Sequence, residues 1–279
     1  MRKQSRGSRS SSIADPFDNA SIEKLKSAIA PFVHVHKGTI VQQSLPGLRD
    51  CAILLKPQTL QKSLIERIEG SPSTSEFEHK DALEASRINP NEGVKTRFVM
   101  ELVRLSIANN EKVLIFSQYI QPLEIIEQLI AIFNWVDGKQ VFTMQGKLNQ
   151  KQRQTWINLF NDPENEVKGS STGCCMESIR GRQAISHAYR LGQQKVVYTY
   201  HLMTSGTSEG DKYCRQALKD RLSELVFCSL SNENEDQKKP AVGIEDKILE
   251  EMVDHAKLKD MFVKIVNQPK DAGKQHWQW

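Results

Sequence analysis

The chain has 279 residues, 38% of them hydrophobic and 26% charged, with a formal net charge of +4. This is enough apolar material for one large domain or two small ones. No apolar run reaches the roughly 20 residues of a membrane span, and the opening RKQSRGSRSSS has no signal-peptide core. Arg2, Lys3, Arg6 and Arg9 carry the whole excess charge, leaving 34 basic residues against 34 acidic ones. Bulk charge therefore gives no argument for nucleic-acid binding by the folded part.

The basic, serine-rich start predicts a disordered arm over residues 1–20. ASIEKLKSAIAPF then reads as a helix ended by Pro31, and FVHVHKGTIVQQSL as extended chain. His34 and His36 alternate with valines on one strand face. With no third ligand in sequence nearby, they read as solvent-facing histidines rather than a metal pair. CAILLKPQTLQKSLIERIEG reads as strand, proline break and helix, with Leu60, Leu64, Ile65 and Ile68 as the helical stripe and Gly70 as its stop. A polar connector follows.

From Lys112 the pattern becomes regular. Lys112–Phe116 is a short continuous apolar run, as in a strand covered on both faces. The next helix has Leu123, Ile126, Leu129, Ile130 and Phe133 on one face. QVFTM predicts a strand. LNQKQRQTWINLF predicts a helix opened by an Asn149–Gln152 capping box, with Trp156, Leu159 and Phe160 facing inward. KVVYTYHLM predicts a buried strand, and the helix after it carries Leu218, Leu222, Leu225 and Val226. Residues 229–243 read as a linker, and IEDKILEEMVDHAKLKDMFVKIV as a final amphipathic helical stretch. Strand–helix alternation of this kind predicts an α/β fold, a parallel sheet with helices on both faces. Ligands then gather at the carboxyl ends of the strands. There the chain places Ser117 and Gln118, then Gln145, Gly146 and Lys147.

Arg182–Lys195, RQAISHAYRLGQQK, sets an arginine-bearing helix end ahead of a core strand. Two readings of Arg190 stand. It is a cation in a last helical turn with Gly192 as the left-handed cap, or it is a guanidinium presented to a phosphate. The five cysteines, Cys51, Cys174, Cys175, Cys214 and Cys228, form no CxxC pair and read as reduced thiols. The vicinal pair lacks partners at zinc-ligand spacing. Trp135, Trp156, Tyr198 and Tyr200 read as core rather than as base-stacking platforms.

Taken in order, three stretches resemble the C-terminal RecA-like lobe of SNF2-type helicases. LIFSQY is similar to motif IV. MQGKLNQKQRQTWINLFN is similar to the LDG…R…FN stretch. QAISHAYRLGQ is similar to motif VI, Q-A-x-x-R-x-x-R-x-G-Q. LPGLRDCAILLKPQTLQKSLIERIEG, HLMTSGTSEGDKYCRQALKDRLSELVF and LEEMVDHAKLKDMF resemble the plant CLASSY subgroup more specifically. The resemblance implies an incomplete RecA-like lobe over 96–228, with an interlobe linker or helical region over 21–95 and a C-terminal helix and tail over 244–279. It implies a nuclear protein that acts on DNA and chromatin, with the plant-specific RNA polymerase that starts small-RNA production in RNA-directed DNA methylation. It also implies ATP with Mg, held between two lobes. Arg190 and His187 fall at the arginine-finger positions, and Gln183, Arg190, Gly192 and Gln193 on the nucleotide side. Ser117, Gln118, Gln145, Gly146, Lys147, Ser171 and Thr172 fall in the loops expected to meet nucleic acid.

The sequence departs from that pattern in four ways. There is no G-x-x-x-x-G-K-[ST] loop and no D-E-x-H box, so the expectation is a truncated protein without its first lobe. Ser171 and Thr172 resemble the start of motif V, but Ser178 stands where a glycine is expected, and the strand that should follow is missing. A sheet that loses an interior strand must close over the gap or expose two edges. His187 offers one donor where the family has an arginine with five. The chain alone is therefore expected to be catalytically inactive, as a shortened gene product or a non-catalytic isoform. The alternative is a non-catalytic interaction module docking polymerase or chromatin partners.

Overall fold

The computed structural model describes residues 19–33, 45–70, 89–130, 141–144, 146, 148–162, 169–173, 185, 188–228 and 245–267. The sequence expectations for most of the 1–20 arm, His34 and His36, the connector over 71–88 and the 229–243 linker lie outside them.

Strand β1 (Leu48–Leu55) is the centre of the fold, and everything from Cys51 onward in it is buried. It pairs in parallel with β4 (Val197–Thr204), Leu48 opposite Val197 through Leu55 opposite Thr204. Alternate residues of the two strands serve opposite faces. Cys51, Ile53, Leu55, Tyr200 and Leu202 join one core cluster, whereas Ala52, Leu54 and Met203 join a smaller one on the other side. Pro57 cannot donate to a ladder, and α2 (Thr59–Gly70) begins two residues later.

Helix α3 (Val94–Ala108) fills the main core through Phe98, Val99, Leu102, Val103 and Leu105. Phe98 is fully buried and meets the rings of Tyr200 and Phe262 edge-on, at 5.9 and 6.1 Å. One side chain thus ties α3 to two strands, and truncating it to Ala should cost about 3–5 kcal/mol. Strand β2 (Val113–Ile115) is shorter than the expected Lys112–Phe116 and pairs in parallel with β3 (Gly169–Gly173). Helix α4 (Ile120–Ile130) buries Leu123, Ile126 and Leu129 as its periodicity predicts. Where QVFTM was expected to be a strand, only isolated bridges form at Val141 and Thr143. Helix α5 (Gln150–Asn161) is capped as expected, with Asn149 Oδ1 accepting from Gln152 N at 2.8 Å. Its Trp156 stacks on Phe142 at 5.5 Å.

Helix α6 (Glu209–Cys228) contacts β4 and α1 (Asn19–Ile29) and brings Tyr213 against the smaller cluster. Its expected apolar stripe is partly overturned, since Val226 is buried but Leu218 is exposed. The α/β class, the parallel pairing and the helices on both faces are as the sequence predicts.

Two features differ. Among the described residues the strands fall into two sheets, ordered β4–β1–β5 and β2–β3, where one was expected. And the expected final helix stops early. Helix α7 (Lys247–Asp254) ends at His255, a single 3-10 turn covers Lys259–Met261, and Phe262–Asn267 becomes β5, antiparallel to β1. FVKIVN is rich in aromatic and β-branched residues, and docking on β1 overrides the weak helical periodicity.

Candidate functional site

The described part of the Arg182–Lys195 motif, residues 188–195, forms a turn held by its own glutamine. Tyr189 N donates to Ile185 O at 2.7 Å, the last helix-like bond, and Gln193 N donates to Arg190 O at 3.1 Å. Gly192 takes φ +93, a left-handed value that L side chains avoid. Gln193 Oε1 accepts from the amides of Gln194 and Lys195, at 3.0 and 3.3 Å, while its Nε2 reaches back to Ala188 O at 3.4 Å. Gln193 therefore works here as a staple across the turn. Arg190 is exposed. Gln183 and His187 lie outside the described residues.

The loops expected to meet nucleic acid divide in the same way. Ser117 is half-buried, and its Oγ accepts from Tyr119 N at 3.2 Å, which opens α4; Gln118 beside it is exposed. Ser171 and Thr172 lie in β3, whose register sets Ile115 opposite Gly173. Because β2 and β3 run in parallel, Ser117 and Gln118 leave that sheet at the same end as Gly173. Gly146 is exposed, with nothing within 4 Å of where a Cβ would stand. Gln145 and Lys147 lie outside the described residues. The Arg190 turn precedes the amino end of β4 in the other sheet, where Val197 N donates to Gly47 O at 3.1 Å. No hydrogen bond or ion pair joins the two groups among the described residues.

Sequence reasoning missed three long-range clusters. At the carboxyl end of β1 and β4, Lys95 Nζ lies 2.6 Å from Glu209 Oε1, and Glu209 Oε2 accepts from Thr204 N at 2.7 Å. Thr207 Oγ1 donates to Thr204 O at 2.7 Å, and Ser205 N to Leu55 O at 2.8 Å. The turn before α6 is thereby locked to both central strands. On the smaller-core face, Asp50 Oδ1 accepts from Thr199 Oγ1 and contacts His201 Nε2 at 2.8 Å, while the buried His201 Nδ1 has no hydrogen-bond partner among the described residues. The Tyr213 ring lies 5.4 Å from that imidazole, and burial raises its hydroxyl well above the usual value, with the charge of Asp50 adding. On the main-core face, Tyr200 Oη donates to Asp246 Oδ2 at 2.8 Å, and Asp246 Oδ1 caps α7 through Leu249 N at 3.0 Å. Each cluster joins residues far apart in the chain, so no local spacing signals them.

The described residues do not fit a complete nucleotide site. They offer one exposed guanidinium at the turn and no glycine-rich amide cradle, and no three His, Cys, Asp or Glu side chains among them come together as a metal ion would need.

Residues 94–172 match the family model for the helicase conserved C-terminal domain. The chain is an SNF2-type helicase C-terminal region. Within that class it is similar to two SNF2 domain-containing proteins of Arabidopsis thaliana. CLASSY 3 is 44% identical over 316 residues, covering 93% of this chain and 22% of the relative. CLASSY 4 is 42% identical over 301 residues, covering 90% of this chain and 26% of the relative. The chain thus spans about a quarter of the length of these relatives or less. Among solved structures, a Sulfolobus solfataricus SWI2/SNF2 ATPase core in complex with dsDNA is 19% identical, with a TM-score of 0.42 over 75% of this chain and 52% of that one.

Proposed function

We propose that this chain is the second-lobe portion of a CLASSY-like nuclear SNF2 protein, with the lobe proper over residues 96–228. In this reading Arg190 meets negative charge on a phosphate that another lobe holds. The exposed Arg190, on a turn fixed by Gly192 and Gln193, is the observation that carries it. Ser117, Gln118, Gln145, Gly146, Lys147, Ser171 and Thr172 form its DNA-facing loops. ATP with Mg belongs to the assembled two-lobe protein, and the residues described here hold neither by themselves. The likeness to CLASSY 3 and CLASSY 4 supports a role in RNA-directed DNA methylation and small-RNA production, with the plant-specific RNA polymerase as partner.

Hydrolysis by this chain is weak even when a first lobe is supplied. His187 stands at one arginine-finger position, and losing such a finger costs on the order of a thousandfold in rate. The test is ATPase turnover of the full chain, alone and mixed with a CLASSY first lobe, with duplex DNA present. Turnover below about a thousandth of that of an intact two-lobe relative is expected; DNA-stimulated turnover near the intact rate overturns the reading.

The division of the described strands into two sheets favours a second reading, a non-catalytic module that docks polymerase or chromatin partners. Binding of a nucleotide analogue and of duplex DNA by the purified chain separates the two. Retained capture of the purified polymerase without either ligand selects the module.

A further inference from the structure

We propose that Gln193 is a positioning residue for Arg190, acting only through that guanidinium and not by touching a nucleotide itself. The family resemblance sets Gln193 on the nucleotide side, but its contacts commit it to another use. The proposal rests on the phosphate-facing reading of Arg190, and its test separates the two.

Arg190 and Gln193 are the first and fourth residues of one β-turn. Gln193 N donates to Arg190 O at 3.1 Å, and Gly192, the third residue, has φ +93. That is the position where a type II turn requires a positive φ. The backbone of Arg190 is thus closed directly onto the backbone of Gln193.

The Gln193 side chain then reaches both ways along the chain. Its Nε2 donates to Ala188 O at 3.4 Å, on the near side of Arg190. Its Oε1 accepts from Gln194 N and Lys195 N, at 3.0 and 3.3 Å, on the far side. An amide oxygen has two lone pairs, and these two bonds take both. Nε2 keeps a second hydrogen, so a direct ligand contact is the rival role. Just beyond Lys195 the chain joins the sheet. There Val197 N donates to Gly47 O at 3.1 Å, and Val197 lies opposite Leu48 of β1. The Gln193 amide therefore braces the Arg190 turn against a segment fixed to the central strand.

Arg190 is exposed, so the turn rather than core packing sets where its backbone stands. A donor aimed at developing charge is worth most when it is held in place beforehand. A displacement of about 1 Å costs up to about a hundredfold in rate. A residue that holds such a donor affects the reaction without contacting the ligand.

The test is a double-mutant cycle read in ATP turnover. The full chain, carrying His187→Arg to supply the other family arginine, is mixed with a CLASSY first lobe and duplex DNA. Gln193→Ala is expected to lower kcat by about tenfold and to leave KM for ATP unchanged. Gln193→Met, which keeps the side-chain length without its hydrogen bonds, should lose as much. Added to Arg190→Ala, Gln193→Ala should lose nothing further. Losses that multiply mean that Gln193 meets the ligand directly, and they overturn the proposal. Full turnover in both Gln193 variants overturns it while leaving Arg190 its phosphate role. Unchanged turnover in Arg190→Ala, or no turnover in any mixture, overturns the phosphate reading and this proposal with it. Hydrogen exchange at Val197–Thr204 checks the fold. A Gln193 variant that loses protection there makes the residue a fold stabiliser and counts against the proposal.

Discussion

Lys95 Nζ lies 2.6 Å from Glu209 Oε1, so the first turn of α3 is joined to the first turn of α6 across the carboxyl end of the central strands. The two residues are not equivalent. Glu209 is favoured at a helix start and also accepts from Thr204 N. Lys95 is disfavoured by the dipole of its own helix, and the pair offsets that cost. Glu209→Ala leaves a buried-side amide and a half-buried ammonium without partners and should cost about 2–3 kcal/mol. Lys95→Ala removes only the ion pair and should cost about 0.5–1 kcal/mol. Urea unfolding of both variants measures the difference. Equal losses would show that the Thr204 bond contributes nothing.

Gly192→Ala should destabilise the turn by about 1–2 kcal/mol, because φ +93 is strained for any residue with a Cβ. No atom lies within 4 Å of the added carbon, so the cost is conformational rather than steric. Gly146→Ala is the matched control, since its Cβ is equally unobstructed and no positive φ is involved. A loss at residue 146 equal to that at residue 192 would remove the backbone explanation.

Burial pushes the Cys51 thiol from the usual 9.0 up to about 11, and the charge of Asp246 adds to the shift. The folded chain holds the neutral thiol, whereas the unfolded chain ionises it from about pH 9. The stability this contributes is full below pH 9 and is lost as pH rises through 11. The Tyr200 hydroxyl is raised by burial and by Asp246, so it acts in the same direction. Iodoacetamide labelling at pH 8, followed by peptide mass spectrometry, should modify the half-buried Cys214 before Cys51. Cys51 should react only as the chain unfolds. Rapid labelling of Cys51 in the folded chain would contradict the shift.

Arg190→Ala should change stability by less than about 0.5 kcal/mol, since its side chain is exposed and the turn is held by Gly192 and Gln193. Mixed with a CLASSY first lobe, the same variant should lose most of whatever turnover the mixture retains, and Arg190→Lys should not restore it, because a lysine lacks the planar fork. A variant that unfolds, or that turns over unchanged, would return Arg190 to the role of a simple helix-end cation.

The elements were legible wherever one face of the chain had a clear period. Leu123, Ile126 and Leu129 are buried as their spacing predicts, and Asn149 caps its helix. The continuous run CAILL becomes the central strand. Legibility failed where tertiary docking decided. Phe262–Asn267 carries a helix-compatible pattern but is held as a strand by β1. Leu218 sits on the predicted stripe of α6 yet remains exposed. Of the candidate site, the Gly192 cap and the exposure of Arg190 were readable locally. Asp50 and His201 were not, since only the pairing of β1 with β4 brings them together.

That pairing also orders events during synthesis. Leu48 lies opposite Val197 and Ala52 opposite Val266, so the central strand meets neither neighbour until much of the chain has left the ribosome. Closing such long loops is slow compared with local helix formation. Until then, the apolar Cys51–Leu55 segment emerges with both edges open, at the stage when nascent chains are most prone to stick to one another. A central strand whose partners lie this far downstream thus waits for most of the intervening chain before its apolar surface is covered.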